Sequence, residues 1–196
     1  RILFASEGGI GDEIINVRFV NKVHDMGMKC SIMSSHNVLS IYDHLPFVKK
    51  ISQKQYRKSD YDYWTPMMSL PKTLDLDVDE LWQGPYLQAK EEYINKHKLD
   101  GDFKVGLRWA GNPRYDHELH RSLNLESLVD CIPNKDWKLY SLQKDVDVEQ
   151  LNKCPSVIDL SSRLETFNDL LGVIYNLDLI ITSCTSVAHA CAAMGK

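Results

Sequence analysis

Ile2-Leu-Phe-Ala-Ser-Glu-Gly-Gly-Ile-Gly-Asp-Glu-Ile-Ile-Asn16 runs an apolar stretch, a glycine-rich turn and the opening of a helical pattern into one another. The apolar run predicts a strand over 2–5, and the periodicity beyond it a helix over 13–26 closed by Gly27 as C-cap. Gly8, Gly9 and Gly11 let the backbone bend where no Cβ fits, and Asp12 falls at or near the N-terminus of that helix. Strand, glycine turn and helix in this order mark a ligand site more often than a plain turn. The plain alternative is Asp12 as a helix cap.

Working outward, a strand is expected over 30–34, a short helix over 38–44 stopped by Pro46, and a strand over 48–51, which gives βαβαβ order and a parallel sheet. The pattern weakens from 53 to 83, where 61–66 reads as an edge strand and 70–80 as a polar loop. A helix follows over 88–98, and Leu99-Asp-Gly-Asp102 reads as a domain boundary. The cycle then restarts, with strands over 103–109, 137–142, 157–160 and 177–182 and helices over 125–131, 148–151, 164–175 and 186–194. The expected fold class is α/β, with two Rossmann-like doubly wound domains, 1–100 and 101–196, facing each other across a cleft. Ligands of such open sheets bind outside the carboxyl ends of the strands. Arg1 begins in a strand pattern and Lys196 stops just after a helix, so the second domain is expected to be truncated and the chain a piece of a longer protein.

Composition narrows the classes. The chain has 196 residues, 43% hydrophobic and 26% charged, with a formal charge of −4. It has no basic footprint, which argues against nucleic acid as a partner. No apolar run approaches the ~20 residues that cross a bilayer, and the start has no signal-peptide pattern, so a cytoplasmic protein is expected. Five cysteines, an odd count with no C-x-x-C pair and no histidines at finger spacing, argue against a zinc site or a disulfide framework. The D-x-D triplets at Asp60/Asp62, Asp75/Asp77, Asp77/Asp79 and Asp145/Asp147 recur in an acidic chain and read as solvated faces rather than a carboxylate pair for a divalent ion. Tyr61, Tyr63 and Trp64 read as packing against the sheet.

Three segments after strands carry residues suited to chemistry: 8–12, 110–122 and 183–189. Thr182-Ser-Cys-Thr-Ser186 opens the last helix with hydroxyls and unpaired N–H groups, a cradle for a diphosphate; the bland alternative is a Ser/Thr cap. His189 sits one turn in, as a ligand or as a half-buried histidine. In the long segment from Trp109 to Ser122, Arg114, His117, His120 and Arg121 can neutralise phosphate oxygens, arginine with a bidentate fork. Its length argues against a mere solvated loop.

Taken in order, Gly8-Gly-Ile-Gly-Asp12, Ser69-Leu-Pro71, Gly106-Leu-Arg-Trp-Ala-Gly-Asn-Pro113 with Arg121-Ser122, Ser141-Leu-Gln143 and Asp178-Leu-Ile-Ile-Thr-Ser-Cys-Thr-Ser-Val-Ala-His189 resemble the heptosyltransferase-related, glycosyltransferase family 9-like GT-B enzymes. The likeness runs from Ile2 to Lys196 and is greatest to the branch found C-terminal to tetratricopeptide repeats. The resemblance implies inverting, metal-independent transfer of a sugar from a nucleotide-diphosphate donor to a hydroxyl on a saccharide, a lipid-linked glycan or a protein. It requires no cofactor, places acceptor on the first domain and donor on the second, and suggests tetratricopeptide repeats on the same longer chain. It makes Asp12 the catalytic base beside Gly9 and Gly11. It assigns the donor diphosphate to Arg121, Thr185, Ser186 and His189, counts Gly9, Gly11, Asn112 and Cys184 among the substrate-binding residues, and puts a base pocket around Ser162 to Leu164. The family commonly has an Asp before the Thr of the last motif, where this chain has Cys184; that departure argues against an ADP-heptose donor but not against diphosphate binding.

Two rivals stand beside this reading. One keeps the fold as a sugar-nucleotide-binding or scaffold domain with a degraded site. The other is a Rossmann oxidoreductase, disfavoured because the glycines are not spaced G-x-G-x-x-G and no acidic residue ends the strand over 30–34.

Overall fold

The computed structural model describes residues 1–34, 39–82, 84–144 and 148–196. They form two compact units, Arg1–Leu87 with Ala193–Gly195, and Gln88–Ala192 with Lys196. Each contains a four-stranded, wholly parallel sheet. No helix of the described residues is long and apolar enough to cross a membrane.

In the first unit, β1 (Ile2–Ala5), β2 (Cys30–Met33), β3 (Lys49–Ile51) and β4 (Tyr63–Pro66) lie in the order β3-β2-β1-β4. β1 is central, its Ile2 level with Cys30 on one side and Tyr63 on the other. Leu3 and Phe4 are both buried, as expected of a strand covered on both faces. The strand over 61–66 is indeed an edge, paired only with β1. Its aromatics do not pack as expected: Tyr63 and Trp64 are 64% and 65% exposed, and Tyr61 instead stacks on Tyr56.

The helix expected over 13–26 is two. α1 (Ile10–Val17) starts earlier, and α2 (Val20–Asp25) follows a break at Arg18 and Phe19. The early start has a local cause. Gly9 adopts an extended N-cap conformation, and its N–H donates to Asp12 Oδ2 at 2.6 Å, so the helix is capped from within its first turn. Gly27, at φ +85°, closes α2 as expected, its N–H bonded to His24 O at 2.8 Å. The polar loop expected over 70–80 contains α3 (Leu70–Thr73), with a proline at its start, because Met67 and Leu70 are buried and draw the segment inward.

In the second unit, β5 (Lys104–Arg108), β6 (Lys138–Ser141), β7 (Val157–Asp159) and β8 (Leu179–Thr182) repeat the same order, β7-β6-β5-β8. Val105, Leu107, Trp109, Leu125 and Leu139 form the core beneath it. The helices are α4 (Glu91–Lys96), α5 (Leu125–Asp130), α6 (Val148–Lys153), α7 (Phe167–Asn176) and α8 (Ser186–Met194).

The division between units falls after Leu87 rather than at 100/101, because α4 packs on α7. Gly172 makes that approach possible: a Cβ there would stand 2.6 Å from Tyr93 O. Asn176 Nδ2 donates to Ile94 O at 2.9 Å, while Lys96 and His97 both meet the buried Asp169 carboxylate at 2.7 Å. Burial alone would raise the Asp169 pKa, but the bonds from Lys96, Thr166 and His97 hold it well below the usual carboxylate range.

In both sheets the chain goes from the first strand to the second and third on one side, then crosses to the fourth on the other. The switch points therefore lie between β1 and β4 and between β5 and β8, and ligands of open α/β sheets gather beyond such points. The segments 8–12, 110–122 and 183–189 leave from those strand ends.

Candidate active site

The second unit brings two of these segments together. β5 and β8 are paired with Arg108 level with Thr182, and Ser183 N donates to Arg108 O at 2.8 Å. The long loop after β5 is tied at its base by Leu123 N to Trp109 O at 2.8 Å. Gln143, at the end of β6, holds Ala110 from both sides: its Oε1 accepts the Ala110 N–H at 3.2 Å and its Nε2 donates to Ala110 O at 3.1 Å.

Glu118 organises the rest of that loop. Its buried carboxylate accepts from Gly111 N–H, from Ser122 Oγ at 2.7 Å and from Arg121 Nε at 2.5 Å. Burial alone would push the Glu118 carboxyl up, yet these bonds and the Arg121 charge hold it below the usual carboxylate range. A Cβ at Gly111 would stand 2.7 Å from Arg121 Nη2 and 2.8 Å from Glu118 Oε2, so any side chain there would displace this pair.

Arg121 is thereby aimed. With Nε fixed on Glu118, Nη1 donates to Cys184 O at 3.0 Å, and the guanidinium lies 4.5 Å from the centre of the Tyr115 ring. It bridges the loops after β5 and β8 at the mouth of α8. There Thr185 Oγ1 accepts the Val187 N–H at 3.3 Å, so Thr185 is a helix cap, while the N–H groups of Thr185 and Ser186 meet no acceptor among the described residues. The buried Ser183 Oγ has no hydrogen-bond partner among the described residues. A fixed guanidinium beside open N–H groups is suited to the oxygens of a diphosphate.

The other residues named from sequence are more dispersed. Asn112 is exposed and its Oδ1 accepts from Arg114 N at 3.0 Å, an Asx turn. Arg114, His117 and His120 are exposed, Ser186 and His189 half-buried on α8, and Cys184 exposed, offering Arg121 only its carbonyl. Ser162 is exposed, but Leu164 is 4% exposed and belongs to the core, so its side chain does not line a base pocket. A cavity of about 490 Å³ opens beside the loop, between Trp109, Tyr115, Glu118, Gln143 and Gln150. Among the described residues no group of three or more His, Cys, Asp or Glu side chains is placed to hold a metal ion; Asp145 and Asp147 lie outside them.

In the first unit the turn after β1 is shorter than expected. Only Gly8 is left-handed, at φ +74°; Gly9 is extended and Gly11 lies inside α1. Asp12 is not the N-cap but the third helical residue, half-buried, with Oδ2 taken by Gly9 N–H and nothing among the described residues donating to Oδ1. Behind it, buried Glu13 accepts from Ser34 Oγ at 2.9 Å and from the Tyr42 hydroxyl. Burial, together with the Glu13 charge and hydrogen bond, pushes the Tyr42 phenol pKa well above its usual value.

Sequence reading gave no role to Glu13 or Glu118, and quoted Gln143 only within the Ser141-Leu-Gln143 motif. The one signal available for Glu118 was an acid three residues before Arg121 inside a cationic loop.

No family model and no curated protein matches the sequence. Two solved structures match the fold. One is E. coli heptosyltransferase WaaC with ADP-2-deoxy-2-fluoro heptose: TM-score 0.65 at 11% identity, over 100% of this chain and 86% of that one. The other, the iron-containing dodecameric glycosyltransferase TibC of enterotoxigenic E. coli, matches with TM-score 0.67 at 8% identity over 98% of this chain and 56% of TibC. At these identities the likeness to both is one of fold.

Proposed function

We propose that the chain transfers a sugar from a nucleotide-diphosphate donor to a hydroxyl acceptor with inversion and without a metal. The observation that carries this reading is the Arg121 guanidinium, held by Glu118 and Cys184 O beside the open N–H groups of α8. Thr185 and Ser186 N–H groups and Arg121 hold the diphosphate, and the helix N-terminus offsets the negative charge that grows on it as the sugar leaves. Asp12 takes the acceptor proton on its open Oδ1 while the acceptor oxygen bonds to the anomeric carbon and the bond to the diphosphate oxygen breaks. Such a base contributes roughly 10²- to 10⁴-fold. The acceptor is a saccharide, a lipid-linked glycan or a protein hydroxyl, and the longer chain carries tetratricopeptide repeats and works in the cytoplasm.

Isothermal titration with ADP, UDP, GDP and their sugars tests the donor half. At least one nucleoside diphosphate should bind, about 10- to 100-fold more weakly to Arg121→Gln. Absence of binding by all of them sinks the reading. Asp12→Asn should leave that binding intact and abolish turnover of the donor.

A second reading, a sugar-nucleotide-binding or scaffold domain, is favoured by two observations: one Asp12 oxygen is spent on the helix cap, and Cys184 stands where the resemblance expects a carboxylate. Equal and negligible donor turnover by the native chain and Asp12→Asn, with diphosphate binding retained, would select it.

A further inference from the structure

α1 gives way to α2 at Arg18, and the surroundings of this guanidinium differ from those of the paired cations nearby. Lys22 is paired with Glu80 at 2.8 Å, Lys50 with Asp43, and Arg57 donates to the carbonyls of Lys54 and Tyr56. Among the described residues Arg18 has no such partner. Its Nε is buried without an acceptor, and no group among the described residues accepts from its other N–H groups.

What surrounds it instead is aromatic. The guanidinium carbon lies 4.9 Å from the centre of the Phe19 ring, 5.7 Å from Tyr86 and 6.0 Å from Trp82. Tyr86 is anchored at both ends: its hydroxyl donates to Ile14 O at 2.8 Å, and its N–H to Ala193 O at 2.8 Å. Trp82, by contrast, is 53% exposed.

Rings interact with the face of a guanidinium and leave its N–H edge open, the edge that grips a carboxylate or phosphate with two parallel bonds. The Nε N–H is shut off from solvent, whereas the Nη groups are not buried and meet no acceptor among the described residues, so they are the groups an anion arriving at that edge would bond. Beside it, the open indole of Trp82 offers an apolar surface on which the C–H face of a sugar ring can rest.

We propose that Arg18, Trp82 and Tyr86 form a binding site for an anionic saccharide, its phosphate or carboxylate on the Arg18 edge and its ring against Trp82. This site lies wholly within the first unit and is separate from the residues assigned to the donor.

The test is isothermal titration of the full chain with glucose 6-phosphate, glucuronate, glucose, AMP and inorganic phosphate. The sugar phosphate, the uronate or both should bind saturably, at least about 10-fold more tightly than glucose or inorganic phosphate. Arg18→Gln should weaken that binding about 10- to 100-fold, the range for hydrogen bonds to charged groups. Trp82→Ala, at a position 53% exposed, should bring the sugar phosphate down to the level of inorganic phosphate. Arg121→Gln should leave anionic sugar binding unchanged.

The proposal is overturned if neither anionic sugar binds better than glucose, or if Arg18→Gln with a native circular dichroism spectrum binds as the native chain does. Inorganic phosphate binding as tightly as glucose 6-phosphate, or AMP binding more tightly, would overturn the saccharide assignment. Loss of sugar binding in Arg121→Gln would move the ligand to the donor residues and remove this site. Because the donor reading is tested with nucleoside diphosphates and Arg121, either can fail without the other.

Discussion

The turn after β1 and the loop after β5 leave the same position in two sheets of the same strand order. The first closes at once: Gly8 turns, Gly9 caps, and Asp12 folds back on the Gly9 N–H within the first turn of α1. The second wanders through 110–124 before α5 and is held by a buried carboxylate, Glu118, on which Gly111, Arg121 and Ser122 converge. A short turn can display an acid with backbone alone, since a helix start supplies N–H groups to hold it. Displaying a cation at the same place takes a long loop with a counter-charge built in. The two loops thus present opposite charges by different means.

The contrast can be tested at three places, beginning where the cost is greatest. Trp109 is buried at the base of the second loop, and Trp109→Ala should lower stability by about 3–5 kcal/mol in a urea titration. A cost below about 1 kcal/mol would show that the loop does not depend on the core beneath it. Next, Glu118→Gln removes the charge that fixes Arg121, at a cost of about 1.5–3 kcal/mol near neutral pH.

That second cost should depend on pH. The folded pKa of Glu118 is held below 4.5, its ordinary value, so the carboxylate contributes fully above 4.5, and the contribution is lost as pH falls through the folded value. The stability gap between native chain and Glu118→Gln should therefore be constant from about pH 7 to 5 and shrink below 4.5. A gap that widens in acid would contradict the arrangement.

The smallest effect belongs to the first loop. Gly8 is left-handed, and a Cβ there would run into Asp12 Oδ2. Gly8→Ala should cost about 1–2 kcal/mol in thermal unfolding and also displace Asp12, reducing turnover along with stability. Unchanged turnover in a destabilised Gly8→Ala would separate Asp12 from the chemistry.

Much of the fold was legible because local pattern and tertiary outcome agree. β1 and α8 fall where their residues predict them, and the segment over 61–66 is an edge strand. The helix start at Ile10 was not legible, because a glycine N-cap has no side chain to announce it and the group that completes the cap is Asp12, three residues on. The boundary at Leu87 was hidden for a different reason. α4 belongs with α7 through Gly172, Asn176 and Asp169, residues about 80 positions away, and no local signal at Leu99 to Asp102 reports that packing.

The candidate site divides the same way. Arg121, Thr185 and Ser186 were visible as a cation and hydroxyls at strand ends. Glu118 was not, because a count of cations in the segment hides the one acid that holds them.

By itself the sequence determined two parallel α/β sheets and the loops that leave their strand ends, since strand and helix periodicity and glycine placement act over a few residues. Only the tertiary structure decided that Glu118 aims Arg121 at Cys184 O, that Leu164 is core, and that Arg18 stands unpaired among Phe19, Trp82 and Tyr86. Those outcomes depend on which side chains meet after the chain closes, and electrostatics and burial act on distances in space that spacing along the chain does not fix.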